Sequence, residues 1–442
     1  MSDNVKIRKK INKFNTKIEV SGDKSLSIRW LLLSSTAVGV SKGYNLLDSE
    51  DVKSTINALI NLGVKIKKRD NYYEVEGIGL NNFKIKKKCV IDAGNSGTLA
   101  RLILGMLAGS KGKVQIVGDK SLSKRDFGRV ITPLQNFGVK IVSKNNRLPL
   151  LIQGTEFLRP IKYFEKIGSA QVKSMCCFCA MNTPGTTEII ATKSRNHSEI
   201  LLKKIGINIK IKKTKTLDFI KITGKKNYRA FDYIIPGDIS SASFFIVLTL
   251  LSRNSKLLIK NVNINSSRTG IIDCLKKMNC KIKFFNKRKY MGEEIANIFI
   301  ESSNNLKSIK CPKSINSRAI DEMLLLFFVA SVAKGTSTFT NLSELNKKES
   351  KRLDWGFKIL KMIGIKTQKI KNNGIKIFGN PNLDLNGNFK IKNYLKDHRI
   401  FMLCMIIALT RGGDWDLSDK SSINTSFPSF LKILKKLGAK FN

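Results

Sequence analysis

Histidine is almost missing from the 442 residues, with two in all, and acidic residues are scarce, 33 against 80 lysines and arginines. Long apolar runs are missing too. One of the longest, "IFMLCMIIAL" at 400–409, falls far short of the ~20 residues that span a bilayer. The opening stretch "MSDNVKIRKKINKFNTKIEV" alternates polar and apolar residues and holds no signal-peptide core. These absences argue against a secreted or membrane-spanning chain and lead us to expect a cytoplasmic one. The scarcity of histidine also bears on the eight cysteines, three of which (Cys176, Cys177, Cys179) cluster in "MCCFCAM". The cluster lies in a helix-like apolar run with no histidine beside it. It fits small buried hydrophobes, and no metal is expected.

The shortage of acids leaves a net charge of +47, which taken alone suggests a nucleic-acid partner. The lysines, however, are spread along the whole chain ("KIKKRD", "KIKIKKTK", "TQKIKNNGIKIF") and gather on no single segment. Lysine, asparagine, isoleucine and phenylalanine all have A/T-rich codons, so drift in an A/T-rich genome accounts for the excess without any polyanion. No nucleic-acid partner and no membrane are expected, although the charge should attract anionic substrates. Apolar content of 42% is ordinary for a globular protein, and the length suits two or three domains.

Two patterns recur along this chain. In the first, a helix end runs into a strand start: "NLGVKI", "NFGVKI", "KIGINI", "KMNCKI", "MIGIKT" and "KLGAKF". The shared position is Gly63, Gly138, Gly206, Asn279, Gly364 or Gly438. These residue types accept the left-handed conformation that ends a helix. In the second, a short polar loop opens an apolar helix. Its anchors are Asp23, Asn95, Ser169, Asp238, Asp321 and Asp397, spaced 69 to 83 residues apart. Six units of similar length fill the chain, divided three and three near Pro236. The anchors suit helix N-caps, whose free N–H groups and partial positive charge also favour anions. Lys24, Arg29, Arg101, Lys173 and Arg399 lie within a turn of them and are expected to bind a multiply charged substrate pair.

One polar hexapeptide occurs twice, as "GDKSLSIR" (Gly22–Arg29) and "GDKSLSKR" (Gly118–Arg125). With "GNSGTLAR", "GSAQVKS", "SRNHSE", "PGDISSASFF", the pair Asp321–Glu322, "KESKRL" and "DHRIFM", these segments are spread over nearly the whole chain, from Gly22 to Met402. In this order the set closely resembles the 5-enolpyruvylshikimate-3-phosphate synthase family. The resemblance implies an α/β, two-domain enolpyruvyl-transferase fold. Each domain would hold three βαβαββ-type repeats, and a two-strand hinge would join them. The expected domains are 1–22 with 237–442, and 23–236, with the active site in the interdomain cleft. The implied reaction transfers the enolpyruvyl group of phosphoenolpyruvate to the 5-hydroxyl of shikimate 3-phosphate and releases phosphate, without metal or organic cofactor. A monomer is expected.

Site residues follow from the resemblance, position by position. Lys24, Ser25, Arg29, Ser169, Ala170, Gln171, Ser194, Arg195, Asp321 and Lys348 match the residues that hold shikimate 3-phosphate, Ala170 offering only its backbone. Lys24, Gly97, Arg125, Gln171, Arg352 and Arg399 match the phosphoenolpyruvate pocket. Arginine's planar fork suits that donor's carboxylate and phosphate. Asp321 stands where the general base for the hydroxyl is expected and Glu349 where the methylene carbon is protonated, with Lys24 as a proton relay. From the residues alone, Asp321 could equally cap a helix, Glu349 could pair with Lys348 or Arg352 on a surface helix, and His398 is taken as structural.

The chain departs from the family pattern at Asn196, Asn346, Lys351 and Asp126. It also has Thr425 where many members carry lysine before "[ST]FP". The nearest rival is UDP-N-acetylglucosamine enolpyruvyl transferase, which shares fold and donor. Its first loop typically carries lysine-asparagine, and "DKSLSIR" with "DHR" favours the shikimate enzyme. A basic nucleic-acid-binding protein is the rival from another class, and a decayed, inactive enzyme is a third.

Overall fold

All six positions expected to end helices in the left-handed region do so. Their φ values are 86° at Gly63, 100° at Gly138, 87° at Gly206, 69° at Asn279, 75° at Gly364 and 92° at Gly438. At Gly206, Gly364 and Gly438 an added Cβ would meet nothing within 4 Å, so backbone conformation alone accounts for glycine there.

The computed structural model describes residues 3–442 and divides into two units, each with its own hydrophobic core. One unit holds the chain up to Ser21 together with Pro236–Lys289 and Glu294–Asn442. The other holds Gly22–Ile235 and the turn Tyr290–Glu293. The described residues form six small sheets, one for each repeat. In a typical repeat, strand Cys89–Asp92 is parallel to Lys113–Val117, which is antiparallel to Leu150–Gln153, with Lys140–Ser143 outermost. Helix Gly97–Leu107 links the first two strands and Gly128–Asn136 leads to the hairpin, a βαβαββ order.

Two repeats take their first strand from far away in the chain. Tyr233–Ile234 completes the sheet of Val38–Tyr44, and Asn15–Glu19 completes the sheet of Lys256–Asn263. The sixth sheet closes in a related way. Val5–Ile7 pairs antiparallel with Gly412–Leu417, and Lys6 exchanges backbone hydrogen bonds with Asn442.

The helices that open the repeats form the centre of each unit. Ile239–Leu251 and Met323–Ser331 are buried on every side, so their sequences are apolar all round and show no amphipathic stripe. In the second unit, Gly97–Leu107 packs on both Lys24–Ser35 and Ala170–Asn182. Gly105 makes the closer approach possible, because a Cβ there would stand 2.4 Å from the Met175 carbonyl oxygen. All eight cysteines are free and buried, and burial pushes the thiols of Cys176, Cys177 and Cys179 up, as expected for packing residues. Among the described residues, no helix is long and apolar enough to cross a membrane.

Candidate active site

Four of the six anchors cap their helices through the side chain. Asp23 accepts from the Leu26 N–H (2.9 Å), Ser169 from Val172 (3.4 Å), Asp238 from Ser240 (2.7 Å) and Asp397 from Arg399 (3.1 Å). The other two do not. Ser96, next to Asn95, is the cap of Gly97–Leu107 (3.2 Å from the Leu99 N–H). Asn95 instead bonds Asp119 and the Arg125 guanidinium (2.9 Å). Asp321 lies ahead of a helix whose N-cap, Glu322, makes no capping bond. Its carboxylate is 3.2 Å from Lys348 Nζ and 3.4 Å from Arg352 Nη1. Two cations stand against it, and the N-cap position belongs to Glu322.

In the second unit, Lys24 begins the helix capped by Asp23, and its Nζ lies 2.8 Å from Asp51 Oδ2. Arg29 is buried one turn further on. Its guanidinium donates to the Ser25 carbonyl (3.0 Å), Ser174 Oγ (3.0 Å) and Ser198 Oγ (2.8 Å), and Ser198 in turn donates to Ser174 (2.7 Å). "GDKSLSIR" and the segment after "SRN" are thereby fixed together. Gly97 sits between two guanidiniums: a Cβ there would come within 2.7 Å of Arg101 Nη1 and 3.0 Å of Arg125 Nη1. Any side chain would fill the space beside this helix start. Arg101 also donates to Gln171 Oε1 (3.0 Å), and Gln171 to Thr98 Oγ1 (3.2 Å), tying two repeats together. Ser194 is buried and Arg195 half-buried just before helix His197–Lys204.

Lys173 corrects an expectation. It was grouped with the anion-binding cations, but it is fully buried, with Nζ 2.6 Å from Glu199 and 3.8 Å from Asp218. A lysine ammonium sealed in the core needs such partners, and its charge serves packing inside the protein. At that spacing the side chain points inward, beneath the helix.

In the first unit the organising group is Arg352, 1% exposed. Its Nε and Nη2 grip Asp397 bidentately (2.8 and 3.1 Å), Nη2 also bonds Glu349, and Nη1 faces Asp321. Ser350 Oγ adds a 2.8 Å bond to Asp397. Burial alone would push the Asp397 carboxyl up, but the Arg352 charge outweighs it and holds the group below the usual carboxylate range. Burial likewise works against the Arg352 charge, and Asp397 and Glu349 more than compensate, raising its pKa. Glu349 therefore does pair with Arg352, but through a buried guanidinium and not on a surface helix. Arg399 donates to the Asp321 carbonyl (2.8 Å) and stands 3.8 Å from the buried Glu322 carboxylate. His398 Nδ1 meets Thr425 Oγ1 at 3.2 Å, which puts the position of the missing lysine beside Arg399's neighbour.

Two of the departures compensate each other. Lys351 is the N-cap of Arg352–Met362 and makes no side-chain capping bond. Asn346 Oδ1 accepts the Leu353 N–H (2.8 Å) and Nδ2 donates to Asp354 (3.0 Å), so an amide six residues ahead of the helix does the capping.

Comparisons with known proteins bear on the family and the fold. The family model for EPSP synthase (3-phosphoshikimate 1-carboxyvinyltransferase) matches residues 8–434. The chain belongs to the EPSP synthase family. A 3-phosphoshikimate 1-carboxyvinyltransferase from Zymomonas mobilis is 36% identical over 440 residues, covering 98% of this chain and 96% of the relative. An EPSP synthase structure from Acinetobacter baumannii superimposes with a TM-score of 0.86 at 31% identity, covering 99% of both chains. The enolpyruvyl transferase NikO from Streptomyces tendae shares the fold (TM-score 0.76, covering 100% of this chain and 99% of its own) at 14% identity. That likeness carries the architecture alone, whereas the sequence identity places the chain with the EPSP synthases. Sequence reasoning missed Asp51, Ser174 and Ser198, which hold Lys24 and Arg29. Ser174 and Ser198 lie inside "GSAQVKS" and "SRNHSE", but their part as partners of Arg29 shows only in what they touch, as does that of Asp51 beside Lys24.

Proposed function

We propose that this member of the EPSP synthase family transfers the enolpyruvyl group of phosphoenolpyruvate to the 5-hydroxyl of shikimate 3-phosphate, releasing phosphate. The observation that carries the reading is the clustering of Asp321 and Glu349 on one buried guanidinium. Each keeps a different second environment: Lys348 stands beside Asp321, while Glu349 relies on Arg352. Two carboxylates in unlike settings suit a reaction that must give a proton and later remove one.

In this reading Asp321 takes the proton of the acceptor hydroxyl as its oxygen attacks C2 of phosphoenolpyruvate. Glu349, with Lys24 as relay, delivers a proton to the methylene carbon. The tetrahedral adduct then loses phosphate as that carbon gives a proton back. Lys24, Ser25, Arg29, Ser169, Ala170, Gln171, Ser194, Arg195 and Lys348 hold shikimate 3-phosphate, together with Asp321. Gly97 leaves space for phosphoenolpyruvate beside Arg125 and Gln171, with Lys24, Arg352 and Arg399 supplying further positive charge. The same reading has the chain act in the cytoplasm as a monomer, without nucleic acid. The spread of its 80 lysines and arginines along the whole sequence supports the last point.

The test is phosphate release from phosphoenolpyruvate with two acceptors offered separately. Turnover is expected with shikimate 3-phosphate and not with UDP-N-acetylglucosamine; the opposite preference would sink the proposal. A second expectation concerns Thr425. Lysine at this position adds a charge-assisted hydrogen bond to the donor, typically ~1.5–3 kcal/mol. Thr425→Lys should therefore lower the KM for phosphoenolpyruvate roughly tenfold to a hundredfold, with the KM for shikimate 3-phosphate nearly unchanged. If donor KM stays put and Lys420→Ala raises it instead, Lys420 already supplies that charge.

A further inference from the structure

Strand Lys162–Glu165 ends on a carboxylate that the sequence reading passed over. Glu165 is 3% exposed. Its Oε1 accepts the Ile167 N–H (3.1 Å), and its Oε2 accepts those of Gly168 (2.7 Å) and Ser169 (3.0 Å). Gly168 is left-handed (φ 77°), and this turn aims three successive peptide N–H groups at one point. Such a concavity is an anion site, and here the chain's own carboxylate fills it. Burial raises the Glu165 pKa, while the three N–H bonds and Lys173 favour the charged form.

The consequence lies in the helix that follows. Of the free N–H groups at the start of Ala170–Asn182, Glu165 takes that of Ser169 and Ser169 Oγ takes that of Val172. Among the described residues, no side chain is seen to claim the N–H groups of Ala170 and Gln171. We infer that Glu165 is a positioning residue for the acceptor. It locks residues 167–169 into one shape before ligand arrives, closes their N–H groups to phosphate, and so directs the acceptor to Ser169 Oγ and the N–H groups of Ala170 and Gln171. This rests on the function proposed above. It also explains how Ala170, with no hydroxyl, serves in that loop.

The experiment uses the full chain and separates the two substrates. Glutamine at 165 keeps the shape but offers one acceptor oxygen, and its NH2 group opposes the remaining N–H donors. Glu165→Gln should raise the KM for shikimate 3-phosphate roughly tenfold to a hundredfold, the range for losing a hydrogen bond to a charged group. The KM for phosphoenolpyruvate should stay within about twofold, a split that general loosening of the fold would not produce. Glu165→Asp, which restores the charge at shorter reach, should fall between. Unmoved acceptor KM, or both KM values rising together, overturns the inference while leaving the function standing. Failure of the unmodified chain to use shikimate 3-phosphate overturns the function and the inference with it. Should Glu165→Gln not fold, Ala170→Pro decides. Proline is tolerated at the first helical position and deletes only that N–H, and Ser169 already has the extended backbone (φ −85°, ψ 107°) required before proline. Acceptor KM should again rise alone; an unchanged value overturns the inference.

Discussion

Arg352→Leu should cost the first unit about 3–5 kcal/mol and abolish turnover. The guanidinium is the partner of a fully buried carboxylate, Asp397, and removing one member of a buried pair leaves the other charged and desolvated. Urea unfolding of the variant and the parent gives the comparison. Asp397→Asn in the Arg352→Leu background should recover part of the loss, since the double variant no longer buries a lone charge. The pH dependence carries a sign. In the parent, Arg352 holds the Asp397 pKa below its unfolded value, so this group's stabilisation is present above about pH 4 and fades as pH falls below it. Without Arg352, burial and the Glu349 charge push that pKa up against the weaker pull of His398. The variant should then regain stability relative to the parent as the solution is acidified from pH 7 to 5. A variant within 1 kcal/mol of the parent at pH 7 would show that Asp397 is held by something else.

Asp321→Asn should leave the protein folded and lower kcat by about 10²–10⁴-fold, the usual range for a positioned general base. Both KM values should change only a few-fold. The grip on Arg399 is through the Asp321 backbone carbonyl, which the substitution keeps. Lys348 and Arg352 lose a charged partner but keep a carbonyl oxygen to bond. Steady-state phosphate release measures this directly; a kcat within threefold of the parent would remove Asp321 from the proton-transfer role.

The sixfold repeat was legible because each turn is written locally. A glycine or asparagine at the helix end admits φ > 0 at little cost, and all six positions adopt it. Caps were legible to within one residue: the oxygen of Ser96 reaches the Leu99 N–H, while Asn95 beside it turns to Arg125. Lys173 misled because sequence gives a side chain's charge but not its direction, and Glu199 and Asp218 come to it from later segments. Glu165 carries no motif at all, and its role exists only because Gly168 bends three N–H groups back onto it. Nor does local sequence reveal that Tyr233–Ile234 and Asn15–Glu19 complete sheets whose other strands lie far along the chain.

That borrowing of strands orders events during synthesis. The second unit is almost one continuous stretch, from Gly22 to Ile235, and every strand of its sheets is made within that stretch. Asn15–Glu19 is made before any of it, yet its partner strand begins at Lys256. At ~5–20 residues per second, the wait is roughly 12–50 s. Lys6 waits longer still for Asn442. For all that time an unpaired strand edge is held out in the crowded cell. Its dense lysines (Lys6, Lys9, Lys10, Lys13, Lys17) are the kind of charge that keeps an open edge from joining another chain's.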